Sequence, residues 1–460
     1  MTGVNPWVVF AIASSAVFLV TVDSTVAVAA FPALRASFTE ASPAALSWVL
    51  NAYTILYAAL LVPAGRLVDL HGSRRLFVFG VTLFTLASTA CGLAAGTDSL
   101  IAARVVQAIG GAVLTPASLA LILGTFPAEK RTAVVGMWSA AGALGAAVGP
   151  GAGAILIELA TWRAAFLVNL PVGALILLFA WHRLPAGPGA AAGEGLDLFG
   201  IGLIVLGVST LTYGIVQIES TGITATNVWA PSLVGLVVML GYAVWARGRP
   251  NAAIDTALFD DRTYALVTVA SFVFGIAFSL MFLTSFLFLF QIWGYGQGLT
   301  GLAVTPGPVV VIIVAILSGR LVGRFGHRSV VVAGGCLFAA AQLWLASHAT
   351  AAPAYLSLWL PMQLVGGVAI GLLLVGLSGA AVATLPPARF GVGGAVNNAV
   401  RQLGGVIGTA IAVVLIGRAN APIESFQQAF LGLAFPSLVT AFIALRLPPG
   451  SGRVKAIAAR

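Results

Sequence analysis

Three charged residues stand inside long apolar stretches, and they are where this sequence has the means to do chemistry. Asp23 lies in the run 7–31, Arg104 in 100–124 and Arg401 in 391–417. A carboxylate at bilayer depth is costly, and where one is kept it marks an ion or proton path. A guanidinium stays protonated in practice, so each arginine needs a carboxylate, carbonyl oxygens or water as a partner. Gln107 follows Arg104 by about one helical turn and so shares its face. Asp23 and Arg104 make an attractive pair, although spacing alone does not place them in contact. The other acids narrow the choice: after Asp261 only Glu424 remains, and it falls between apolar runs. Proton coupling, if present, therefore belongs to the N-terminal half of the chain. Glu158, at the end of the fifth run, is either a second proton or cation site or an ordinary interfacial charge.

The elements that must position these residues follow from composition. Of 460 residues, 60% are hydrophobic and 8% charged, with a mean hydropathy of +1.06. A soluble domain carries about 25% charged residues, so soluble enzymes, nucleic-acid binders and disordered scaffolds are excluded despite a net charge of +9. Apolar segments of 18 or more residues read as membrane-spanning helices. Fourteen are expected: 7–31, 47–64, 76–95, 100–124, 133–157, 164–182, 198–218, 229–246, 263–290, 300–319, 329–348, 355–384, 391–417 and 427–446. The first lacks a basic flank and is too long for a signal-peptide core, so it reads as a retained span. Two cysteines inside apolar runs imply no disulfide framework. The sequence has no G-x-x-x-x-G-K-[ST], H-E-x-x-H or G-x-S-x-G pattern, which disfavours an ATP-driven motor or a membrane hydrolase. No enzymatic activity, metal or organic cofactor is expected.

An internal repeat sets the organisation. Gly65-Arg66-Leu67-Val68, followed by Gly72 and Arg74, recurs as Gly319-Arg320-Leu321-Val322, followed by Gly326 and Arg328. The copies follow the second and tenth spans. That offset fits two six-helix bundles separated by two inserted helices, a parallel repeat seen in transporters. The division expected is residues 1–182, the linker helices and their connections at 183–262, and residues 263–460. With the N-terminus inside the cell, most of the 22 basic residues fall in inside loops, whereas the outside loops hold Arg35, Arg163 and Arg418. That asymmetry favours both termini in the cytoplasm. The preference for Arg over Lys, with abundant Ala and Gly, points to a GC-rich bacterial genome and a bacterial inner membrane.

Five motifs in order on these spans carry a family resemblance. Gly65, Asp69, Gly72, Arg74 and Arg75 fit the pattern G-x-L-x-D-x-x-G-x-R-R. Val22 to Val26, running to Phe31-Pro32, fits a first-helix pattern around Asp23. Arg104, Gln107 and Gly110 fit R-x-x-Q-G-x-G, with Ala108 in place of one glycine. Gly142, Gly145, Gly149, Pro150 and Gly153 look like an antiporter motif in the fifth helix, and Trp162-Arg163 through Asn169-Leu170-Pro171 like a marker before the sixth. The chain resembles the major facilitator superfamily, specifically its fourteen-helix drug:proton antiporter branch. The resemblance implies an all-α polytopic membrane protein that exports lipophilic, often cationic drugs or antibiotics in exchange for protons, by alternating access. The proton gradient is then the energy source, and the partners are a small lipophilic substrate, protons and membrane lipids; a monomer is expected. It implies that Asp23, Arg104 and Gln107 couple the proton and that Asp69 helps latch the cytoplasmic side. The second repeat has Gly323 where the first has Asp69, so such a latch is one-sided.

The substrate cavity is the least determined part. Phe274, Phe278, Phe282, Phe286 and Phe290 recur at i, i+4 in the ninth span and form a slowly rotating stripe. Facing the central cavity they suit an apolar, aromatic or cationic substrate; facing lipid they are hydrophobic surface. Asn51, Tyr53, Tyr57 and Arg401 are further cavity candidates. Pro150 removes a backbone donor and is expected to bend the fifth helix. Export of a lipid or metabolite, and a membrane receptor or assembly factor that moves nothing, are the alternatives. Asp23→Asn is expected to uncouple transport while leaving the fold intact.

Overall fold

Where water is absent, a spanning segment must satisfy its backbone internally, and long apolar runs therefore become helices. A computed structural model describes residues 5–41, 43–185, 197–222, 224–249, 252, 254, 256–383, 385, 389–416 and 421–448. Thirteen helices among these residues are long and apolar enough to cross a membrane, and one bent helix makes the fourteenth. They are α1 (Pro6–Ala29), α2 (Pro43–His71), α3 (Ser73–Gly92), α4 (Thr97–Thr125), α5 (Ala128–Leu159), α6 (Trp162–Arg183), α7 (Leu198–Val216), α8 (Thr226–Ala246), α9 (Arg262–Ile292), α10 (Gly298–Leu317), α11 (Arg320–His348), α12 (Tyr355–Ala383), α13 (Phe390–Ile416) and α14 (Ile423–Ala444). The connection at 186–196, Arg418 and the tail after 448 lie outside the described residues.

Packing groups the helices by sequence. α1 lies along α5, and α4 lies between α2 and α3; in the last six, α9 packs on α13 and α14, and α11 on α12 and α14. The two groups meet where α5 packs on α10 and α12, and where α2 and α4 pack on α13. α7 and α8 pair with each other and attach through α7 to α2 and α13. The outward face of α8 carries Leu233, Leu236, Val237, Leu240 and Val244, all exposed, as a lipid-facing helix requires.

The repeated motif is helical for most of its length. Gly65–His71 continues α2 beyond the expected end at residue 64, and the turn comes at Gly72, with φ 90 and ψ 138. Gly326 makes the equivalent turn near the start of α11, with φ 77 and ψ 163. A side chain in that backbone region costs on the order of 1–3 kcal/mol. This explains why glycine recurs at both positions of the repeat. Gly323, three residues earlier, is helical, and a β-carbon there meets nothing within 4 Å. Gly326→Ala is therefore expected to lower the melting temperature, while Gly323→Ala raises it through a helix-propensity gain of up to about 1 kcal/mol. Equal melting of the two variants in detergent would contradict this account of the turn.

α5 bends by 42° between Ala133–Ala146 and Gly151–Leu159, at the position of Pro150. Below and above the bend it touches the last six helices. Ser139 Oγ lies 3.3 Å from Ser378 Oγ on α12, and a β-carbon on Gly151 falls 3.4 Å from Gly301 Cα on α10.

Candidate functional site

The first six helices bury a charged cluster around Asp23. Arg104 Nη1 donates to Asp23 Oδ2 at 2.7 Å, and both side chains are almost wholly buried. The other carboxylate oxygen, Oδ1, accepts from Gln107 Nε2 at 2.8 Å and from Asn169 Nδ2 at 2.6 Å. Arg104 is held in turn by Gln107 Oε1 at 2.7 Å and by the Val49 carbonyl, which accepts from Nε at 3.1 Å. The Tyr53 ring lies 4.1 Å from the guanidinium carbon, a cation–π contact. Arg104 and Gln107 converge because they sit three residues apart on one face of α4. Asn169 opens the second segment of α6, after a break at Val168. It is fixed by Ser88 on α3, whose hydroxyl donates to the Phe166 carbonyl at 2.9 Å.

The arrangement has one chemical consequence. An ionised carboxylate only accepts hydrogen bonds, and here all its contacts are with donors. A proton arriving on Oδ2 would displace Arg104, which has no neutral form to adopt. The ion pair at that oxygen therefore requires the ionised carboxylate.

Asp23, Arg104 and Gln107 are thus brought together, whereas Glu158 is exposed at the far end of α5. Sequence reasoning left Asn169 and Ser88 out of the cluster. Asn169 lay within the marker before the sixth span, and an amide in an apolar segment must find a partner, so that signal was available.

α1, the helix that bears Asp23, is fastened to α5 through the glycine series. β-Carbons on Gly145 and Gly149 would meet Thr21 and Thr25 hydroxyls, with Phe18 and Val22 carbonyls at 2.7 and 3.1 Å. One on Gly153 would meet Val26 Cα at 3.2 Å. Thr21 and Thr25 donate back to carbonyls of their own helix, so the seam consumes no other polar partner.

At one end of the bundle Asp69 joins the two groups of helices. Its Oδ2 accepts from the Val392 backbone N–H at 3.0 Å, in the first turn of α13, where the helix dipole favours an anion. The repeat position in the last six helices, Gly323, offers no counterpart. Arg74 donates to the Trp181 carbonyl at 2.7 Å, while Arg75 is exposed.

Among the cavity candidates, Phe278 and Phe282, together with Phe286, line a cavity of about 640 Å³, part of it open to solvent, formed by α9 to α12 and Ala143 of α5. Phe274 is buried in packing and Phe290 is exposed. Asn51, Tyr53, Tyr57 and Arg401 do not line that cavity. Tyr57 is buried and hydrogen-bonded to Thr115 at 3.0 Å. Arg401 donates to Asn398 on its own helix. Among the described residues no group of three or more His, Cys, Asp or Glu side chains is placed to hold a metal ion.

Comparison with known proteins points the same way. Residues 13–306 match the family model of the Major Facilitator Superfamily. The chain is 32% identical over 403 residues to "Multidrug resistance protein Stp" of Mycobacterium tuberculosis, covering 86% of this chain and 73% of that one. It is also 32% identical over 446 residues to "Cephamycin export protein CmcT" of Amycolatopsis lactamdurans, covering 95% and 91%. The fold is similar to the crystal structure of the human organic anion transporter MFSD10, with a TM-score of 0.71 at 16% identity, over 96% of this chain and 99% of that one. With helices in this order, a repeated glycine turn and a match over most of its length, the chain belongs to the major facilitator superfamily and is a multi-pass membrane transporter.

Proposed function

We propose that this chain is a proton-coupled exporter of lipophilic drugs or antibiotics in a bacterial inner membrane, with both termini in the cytoplasm. The observation that carries the reading is the buried Asp23–Arg104 pair with Gln107 and Asn169 closing the second carboxylate oxygen. Residues 1–182 and 263–460 act as two bundles that rock about α2, α5, α10 and α13, with 183–262 as the linker. Export as the direction is supported by relatives named for multidrug resistance and cephamycin export.

The cycle follows from that requirement for an ionised Asp23. A proton from outside neutralises Asp23 and frees Arg104. The freed guanidinium favours the state in which α1 and α4 shift relative to each other, and α1 carries α5 with it through the glycine seam. Because α5 also packs on α10 and α12, that shift reaches the substrate side. Substrate and proton act on one equilibrium only through their differential affinity for its two states. The Asp69 contact with α13 holds the cytoplasmic side shut in one of them.

The test is proton flux in proteoliposomes with an imposed pH gradient. Lipophilic cations, neutral drugs and lipids are added in turn. We expect some drug-like compounds to collapse the gradient in proportion to protein. Collapse by lipids alone would replace the drug reading with lipid export. No response to any compound, with the protein folded, would overturn proton-coupled export.

A further inference from the structure

The cavity in the last six helices contains a recognition element that the proton cycle does not use. Gln342 on α11 is fully buried, and neither its amide nitrogen nor its carbonyl oxygen has a hydrogen-bond partner. Ser285 on α9, 3% exposed, has an unpartnered hydroxyl as well. Both residues line the same cavity, as does the buried Gln363 of α12. Buried polar groups are ordinarily satisfied, and an unpaired one is costly. Two unpaired residues lining one cavity therefore constitute a site whose partner comes from outside the chain.

The rest of the lining says what that partner is. Phe278, Phe282 and Phe286 supply aromatic surface, and Met281 and Met362 supply adaptable thioethers. Among the described residues no Asp, Glu, Lys, Arg or His lines the cavity. A cation there would lose its hydration with no counter-charge to replace it. A primary carboxamide presents a donor and an acceptor side by side, so it pairs best with a ligand edge offering acceptor and donor in the complementary order. We propose that Gln342, with Ser285, forms a subsite for uncharged aromatic compounds bearing an adjacent C=O and N–H or O–H, such as a lactam, amide or hydroxyketone. This rests on the transport reading above and departs from the cationic substrates that the sequence resemblance implies.

The test uses three probes built on one bicyclic ring. 2-Quinolone has the adjacent N–H and C=O, N-methyl-2-quinolone lacks the donor, and N-methylquinolinium is a fixed cation. Binding to the purified full-length protein in detergent is measured by equilibrium dialysis. 2-Quinolone is expected to bind wild type about tenfold more tightly than either methylated probe, the equivalent of roughly 1.4 kcal/mol. Gln342→Leu and Ser285→Ala should each erase much of that preference and leave N-methylquinolinium, which has neither group, unchanged. Gln342→Leu removes an unpartnered polar group, so it should melt no lower than wild type. The preference among probes on wild type stands whether or not a variant folds. Equal or tighter binding of N-methylquinolinium, or indifference of 2-quinolone to both substitutions, would overturn the subsite and leave the proton-flux test untouched. Selective 2-quinolone binding by a protein that passes no protons with any compound would do the reverse: the subsite would stand and the export reading would fall.

Discussion

Replacing Asp23 by Asn is expected to abolish substrate-dependent proton flux and, at the same time, to lower stability. The first effect follows because an amide has no proton to take up or release. The second follows from the ion pair. Arg104 is 1% exposed, and Asp23 is the carboxylate that neutralises it at 2.7 Å. Removing one partner of such a pair leaves an uncompensated buried charge and costs about 3–5 kcal/mol. Gln107, Val49 and the Tyr53 ring still contact the guanidinium, but none carries a charge. The sequence alone predicts an intact fold for this variant, whereas the contact with Arg104 predicts a less stable one. The double variant Asp23→Asn/Arg104→Gln removes both charges and should recover most of the lost melting temperature while remaining fully uncoupled. Flux and thermal melting measured on the same preparations separate the two effects. Wild-type flux in Asp23→Asn would remove this residue from the coupling mechanism. A double variant no more stable than the single one would show that the pair is not what makes the substitution costly.

Much of the architecture could be read from the sequence, because an apolar run long enough to cross a bilayer has few alternatives to a helix. Boundaries were harder where amphipathic residues extend a span. Gly65–His71 looked like a loop because it carries Arg66, Asp69 and His71, yet it continues α2 to the turn at Gly72. The site was legible as a set of residue types but not as contacts. A costly carboxylate and a permanently charged arginine needed each other, but their meeting depends on the packing of α1 against α4. Asn169 was legible only as part of a motif, because its role depends on the break at Val168 that turns the amide toward Asp23. The phenylalanine stripe shows another limit. Each i, i+4 step advances about 40° around a helix, so five such residues cannot share one environment. Accordingly, Phe274 is buried in packing, the middle three line the cavity, and Phe290 is 42% exposed. The unpaired state of Gln342 left no sequence signal, since it depends on which neighbours fail to reach it.

The seam between α1 and α5 supports a prediction with its own internal control. Gly142 and Gly145 lie about one turn apart on α5 and face the same helix. A β-carbon on Gly142 would lie 3.4 Å from Val17 Cγ1, an ordinary contact, whereas one on Gly145 would lie 2.7 Å from the Phe18 carbonyl oxygen. The carbonyl is backbone and cannot rotate aside, so α1 must move away from α5. Added methylenes in a packed site cost about 1–3 kcal/mol, set against a propensity gain of about 1 kcal/mol for replacing a helical glycine. Gly142→Ala should therefore melt at or slightly above wild type and retain its flux. Gly145→Ala should melt lower and lose most of its flux, because the displaced helix is the one that places Asp23 against Arg104 and Asn169. Gly149→Ala, with the Val22 carbonyl at 3.1 Å and the Thr25 hydroxyl in the way, belongs with Gly145. If the three variants melt and transport alike, α1 and α5 do not move as a unit. The route from proton to substrate would then have to run through α2 or α4, both of which pack on α13.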